Sequence, residues 1–439
     1  MFRVNMDLSG IARPRPWPRV VLVACVMVLA ACPPPVDREA ITQEVVRGWV
    51  EAPDSGGWRM GALGRPVAVY VDRSGSMRGF LDPEYRTRVD YRSVIDGLQA
   101  RLAPGRVYGF GSSVRMQPNA GLDVLGSREF YRDGDTEVEE ALDSIARDTL
   151  LAWSHVVIGD ARRSDPDLAH RQWMRMRELA LRWSRERGTF LVAVSRAPFT
   201  PVQGDPSGCH AASAGGRDSV RLCPLYAFVF AAPGDGVRIA AELAGLFEHV
   251  WGHPLPTAPL TAVELRRGEA PEEGVEYDAA WLSESPVVPR IEANEPATRP
   301  FRASLAAADS SAPAGRLLAR LLADGARLEI FARPVTADSA ASPWRRQNGG
   351  AVRAATRETG IDVFSPGGDD CASAVEGEPC GTLYRIEARA PGAPPWLARF
   401  EAREAADAER TFGLGRLFEP FLPLAASAPP LARTYLLVR

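Results

Sequence analysis

Apolar positions along this chain fall into short blocks whose spacing changes from element to element. Residues 67–71, Val-Ala-Val-Tyr-Val, form an unbroken apolar run, the pattern of a strand buried on both faces. Tyr91, Val94, Ile95, Leu98 and Leu102 share one helical face. Residues 106–110 read as a second strand, with 113–117 returning as an antiparallel edge. Val138, Leu142 and Ile145 predict a helix after Thr136, and residues 155–158 predict another buried strand. Trp173, Met176, Ala180 and Trp183 stripe a long helix as core residues. Segments 190–194 and 225–232 read as the last two strands, and Ile239, Leu243, Leu246 and Val250 as a closing helix. Alternating strands and helices predict an α/β fold over residues 61–255, a doubly wound, mostly parallel sheet with helices on both faces.

The pattern then changes. Residues 256–439 are rich in Pro, Gly and Ala, and 317–322 is the clearest helical stripe. Tyr384, Ile386 and Ala388 alternate with polar residues, a Pro-Gly turn follows, and 396–400 is apolar again, which reads as a hairpin. Residues 328–330 and 434–437 are further strand candidates. The expectation is a second, β-rich domain.

Composition narrows the function classes. The chain has 439 residues, 46% hydrophobic and 24% charged, which suits globular domains and excludes general disorder. Its net charge is −3, and the rows contain no Lys, so all 52 basic residues are Arg. That balance argues against nucleic acid as a partner.

At the N-terminus, Arg13, Arg15 and Arg19 precede an apolar stretch, residues 20–31, too short for an ordinary transmembrane helix. It ends in Leu29-Ala30-Ala31-Cys32. This resembles the lipobox of bacterial lipoproteins. The resemblance implies that residues 1–31 are a signal peptide, that Cys32 carries the lipid (acyl chains such as palmitate), and that 32–60 is the lipidated Cys and its tether. A plain secretory signal is the competing reading. Pro33, rather than Asp, leans toward the outer membrane. Cleavage would leave a charge of −6, with membrane contact through the lipid anchor only. Export agrees with the remaining cysteines. Cys209, Cys223, Cys371 and Cys380 are even in number, and the short separations favour disulfides 209–223 and 371–380 over zinc.

The candidate chemistry begins where the first strand ends, at Asp72-Arg73-Ser74-Gly75-Ser76. In open α/β sheets ligands sit at the carboxyl ends of strands. One carboxylate and two hydroxyls there can converge on a hard cation if the loop curls at Gly75. Thr136 precedes a helix, where capping is its bland role. Asp160 ends the 155–158 strand on the same sheet edge, where a loop or cap role is the bland reading.

These positions, in this order, resemble the von Willebrand factor type A family and its metal-ion-dependent adhesion site. Residues 107–112 also resemble that family's second strand. The resemblance implies a Mg²⁺ ion (or Mn²⁺ or Ca²⁺) held by Asp72, Ser74, Ser76, Thr136 and Asp160. It also implies a protein partner that offers an Asp or Glu side chain to the ion. The chain departs from the family in a lengthened 78–90 connection, Ala161 after Asp160, and a 200–222 insertion. Asp82, Glu84 and Asp90 in that connection are candidates for an internal cap on the ion or a solvated face. The expected function is non-enzymatic adhesion at the cell envelope. A metal-dependent hydrolase and a structural lipoprotein with a non-functional site are the alternatives. Against the hydrolase, the chain has neither a GxSxG elbow around Ser74 or Ser76 nor an HExxH motif. His170 has no nucleophile beside it in the sequence pattern, and Gly367-Gly368-Asp369-Asp370 beside Cys371 reads as a disulfide-closed acidic loop, with calcium binding as the alternative.

Overall fold

Strand β1 (Val67–Asp72) is buried along its full length because it is flanked on both sides. It pairs in parallel with β2 (Arg106–Phe110) and with β4 (Ser154–Gly159). A short β3 (Val114–Met116) closes the β2 edge antiparallel. Beyond β4 lie β6 (Arg221–Ala231), β5 (Thr189–Phe199) and β7 (His249–His253), giving the order β3-β2-β1-β4-β6-β5-β7. β1, β2, β4 and β5 run one way, so the sheet is mostly parallel in direction but mixed in pairing. β6 lies antiparallel between β4 and β5 and pairs with β5 over eleven residues.

The computed structural model describes residues 37–51, 58, 62–81, 89–117, 122–134, 136–163, 165–200, 221–259, 261–265, 275–282, 288–293, 301–306, 313–336, 343–347, 353–357, 360–365, 378–402 and 410–439. The segment resembling a lipobox with Cys32, and Cys209, Cys371, Asp82, Glu84 and residues 367–370, fall outside these residues.

Helix α1 (Arg38–Arg47) belongs to the later sheet. On the first sheet, α2 (Tyr91–Leu102) and α5 (Gly236–Ala244) cover one face, and α3 (Val138–Ala146) and α4 (Pro166–Arg185) the other. The closing helix is shorter than its stripe predicts. It stops at Ala244 with Gly245 as cap, and Val250 lies instead in β7, where the backbone gains a ladder with β5.

The later strands are β8 (Ala258–Pro259), β9 (Thr261–Leu265), β10 (Val275–Leu282), β11 (Val288–Ala293) and β12 (Phe301–Ala306). After helix α6 (Pro313–Ala323) come β13 (Arg327–Pro334), β14 (Arg345–Arg346), β15 (Arg353–Arg357), β16 (Gly360–Ser365) and β17 (Thr382–Arg389). The chain ends with α7 (Leu397–Phe400), β18 (Glu401–Ala402), β19 (Thr411–Phe412), α8 (Gly415–Phe418), α9 (Phe421–Ser427) and β20 (Ala432–Val438). A second, largely antiparallel sheet runs β10-β11-β20-β17-β13-β14, with β8 beside β20. A third has the order β15-β16-β12-β9.

Three expectations change. Residues 396–400 do not return as a hairpin strand: β17 pairs with β13 and β20. Trp396 and Phe400 instead stack around Phe418 and His249 against the first sheet, where burying large aromatic surface outweighs a strand ladder. The stretch read as a tether contains α1, N-capped by Asp37. Its Val46 packs with Trp281, Val335, Leu383, Tyr435 and Leu437. The 255/256 boundary marks a change of pattern but not a break in the core. One apolar cluster joins β1, α2 and α5 to α6 and to Ile386 and Leu436 of the second sheet. The opposite cluster joins α3 and α4 to Leu414, Leu417, Phe418 and Phe421. Cys223 and Cys380 are both disulfide-bonded.

Candidate functional site

The site grows out of the end of β1. Asp72 is the last strand residue and is fully buried. The chain beyond it keeps pairing: the Arg73 amide donates to the Phe110 carbonyl, and Ser74 forms an isolated parallel bridge with Asp133. The Gly75 amide donates to the Asp133 carbonyl at 3.0 Å, and residues 75–80 then curl into a 3₁₀ turn. This curl brings the motif together. Asp72 Oδ1 accepts from the Ser74 amide at 2.7 Å, and the Ser74 and Ser76 hydroxyls lie 2.9 Å apart.

Thr136 joins from the far side. Its Oγ1 donates to Asp72 Oδ2 at 3.1 Å. The capping role is not the one it plays: Glu137 is the N-cap of α3, with no side-chain cap bond. Asp160 follows β4, the strand adjacent to β1. Its Oδ1 accepts from the Arg162 amide at 3.1 Å, and the cap of α4 is Asp165 instead. A Cβ at Gly159 would lie 3.1 Å from the Cβ of Asp72, a tight contact that glycine avoids. All five residues are buried, from 0% exposure at Asp72 to 9% at Thr136.

The electrostatics follow from that burial. Loss of water around Asp72, and then the neighbouring Asp160 charge, push the Asp72 carboxyl up to about 7, against the pull of its hydrogen bonds. Asp72 thus shares a dry site with three hydroxyls and feels the charge of Asp160 from the neighbouring strand. All five groups are hard oxygen donors, the set that suits Mg²⁺ or Ca²⁺. Among the described residues, no group of three or more His, Cys, Asp or Glu is gathered to hold a metal. Three of the five donors here are hydroxyls, which fall outside such a group.

Several supporting residues carry no sequence signal of a site. Tyr91 opens α2 as part of its core stripe, yet its hydroxyl lies 2.7 Å from that of Tyr131, which donates to the Leu125 carbonyl. Burial pushes both phenols well above their ordinary range. Tyr226 sits opposite Gly159 in the β4–β6 ladder, and its hydroxyl lies 2.8 Å from Thr411 Oγ1. The C-terminal segment therefore reaches the edge of the site. Asp90 caps α2 by accepting from the Ser93 amide at 2.8 Å. His170 meets the Arg416 guanidinium. The Ser74 and Ser76 hydroxyls bond to each other.

No family model, no curated protein and no solved structure matches this chain.

Proposed function

We propose that residues 61–255 form a von Willebrand factor type A-like domain. In this reading Asp72, Ser74, Ser76, Thr136 and Asp160 hold one divalent cation, Mg²⁺ first among the candidates. The observation that carries it is the convergence of Asp72, Ser74, Ser76 and Thr136, drawn from two separate loops, with Asp160 delivered beside them by the neighbouring strand. The resident chemistry fits such an ion, because two buried like charges otherwise oppose each other. A bound cation supplies the charge that keeps both carboxylates ionised and a coordination position open to an outside carboxylate. Ser74, Ser76 and Thr136 contribute neutral oxygens, so the cation's charge is not cancelled by its ligands. Asp72 orients Ser74 through its amide and Thr136 through its hydroxyl.

The mature protein is, in the same proposal, a lipid-anchored envelope protein attached through Cys32. It engages an acidic side chain on a protein partner, by coordination rather than turnover. The test is a pull-down from native membranes with Mg²⁺ or with chelator, comparing wild type and Asp72→Ala. A partner retained by the wild type only with Mg²⁺, and lost in Asp72→Ala, is expected. Retention indifferent to both rejects the reading. Ester or phosphate turnover abolished by Ser74→Ala would establish the hydrolase in its place.

A further inference from the structure

The second sheet presents an arginine-rich face that the cation site does not use. Alternation places Arg327 and Arg333 of β13, Arg385 and Arg389 of β17, Arg433 of β20 and Arg346 of β14 on one side of that sheet. The opposite side carries Leu328, Ile330, Ile386 and Leu436, which join the shared core. Against the six arginines stand Glu329 and Glu387 from the sheet, and Glu51 from just after α1. Over β13, β14, β17 and β20, with Glu51, three positive charges are in excess among the described residues, in a chain whose net charge is −3; toward β11 the same side adds Arg290, paired with Glu39. Arg327 and Arg346, which share the single carboxylate of Glu329 with Arg389, carry the accessible part of the excess, with side chains 66% and 46% exposed.

The same face carries the helix nearest the proposed anchor. α1 docks at its apolar end through Val46 against Leu383, Tyr435 and Leu437, and Trp49 lies under the Arg333 guanidinium at 3.8 Å. Only residues 33–36 separate Cys32 from the Asp37 cap. Five Cα steps span at most about 18 Å, and ten helical residues add about 15 Å. An acylated Cys32 would therefore hold this face within about 35 Å of the bilayer. Guanidinium groups match phosphate oxygens as two-pronged donors.

We propose that this arginine face binds the phosphate groups of anionic phospholipid headgroups and orients the tethered protein on its membrane. The orientation, though not the binding itself, rests on the reading of Cys32 as the lipidated residue. The test uses residues 33–439 expressed without the signal peptide. That chain carries every described element and no acyl group. Its sedimentation is compared with vesicles of phosphatidylcholine alone and of phosphatidylcholine with 30% phosphatidylglycerol. Binding only to the anionic vesicles, weakening with salt, is expected. Each exposed arginine removed should weaken it about 5-fold, so Arg327→Gln with Arg346→Gln should lose about 25-fold while the thermal midpoint stays near that of the wild type. Equal sedimentation with both vesicles, none with either, or an unchanged double variant overturns the proposal. Mass spectrometry of the full-length protein reads Cys32 acylation separately. An unacylated Cys32 with intact vesicle binding would sink the anchor and leave the headgroup site standing.

Discussion

The two sheets bury carboxylates in opposite ways. In the second, Glu387 is 1% exposed and surrounded by guanidinium groups that its own sheet delivers: Arg389 at 2.6 Å, Arg433 at 3.0 Å and Arg385 at 3.3 Å. In the first, Asp72 is just as buried, but its neighbours are an amide, a hydroxyl and the like charge of Asp160. A buried carboxylate is costly unless its charge is balanced. The second sheet carries the balancing charge in its own sequence, and the carboxylate there is architecture. The first sheet surrounds Asp72 with oxygen donors, and in the proposed reading the balancing charge is that of a bound cation.

The largest effect that separates the two should come from Glu387→Ala. It strands arginines around an emptied position and is expected to cost about 3–5 kcal/mol of stability, read by denaturant unfolding. Asp72→Asn should do the reverse in chelator. The folded protein holds the Asp72 proton more tightly than the unfolded chain, with its carboxyl raised from 3.8 to about 7. Stability from this group is therefore full below about pH 4 and lost as pH rises to about 7. Wild type and Asp72→Asn should match near pH 4, and the variant should be more stable by a few kcal/mol at pH 8. Added Mg²⁺ should close that gap for the wild type only. A variant that is less stable at pH 8 would break the comparison.

Thr136→Ala sharpens it. Loss of the hydroxyl should weaken Mg²⁺ binding about 10–100-fold by calorimetry, without loosening α3, whose N-cap is Glu137. Thr136→Ser should restore most of the affinity. Asp90→Ala is the smallest change: a lost cap on α2 should cost about 1 kcal/mol and leave Mg²⁺ affinity unchanged.

The legible part of the fold is the part with local periodicity. β1 could be read because it is an uninterrupted apolar run, and its last residue then locates the site at a strand end. The insertion of β6 between β4 and β5 could not. Strands buried on both faces carry no alternation, so neither direction nor neighbour shows in their sequence. Trp396 and Phe400 misled for a related reason, since a short apolar stretch fits a strand or a packed turn equally well. At the site, Asp72, Ser74 and Ser76 are visible as a spacing. The bond from Thr136 to Asp72 spans 64 residues, and the contact of Tyr226 with Thr411 spans 185, so neither has a local signature. α1 was hidden by the Pro-rich run before it, which reads as a tether although the helix docks through Val46.

The most direct measurement is anomalous diffraction from crystals of this protein soaked in Mn²⁺, as a stand-in for Mg²⁺. One peak enclosed by Asp72, Ser74, Ser76, Thr136 and Asp160 is expected, absent from Asp72→Ala crystals. No peak there at saturating Mn²⁺, or a peak that persists in the variant, would contradict the proposed cation site.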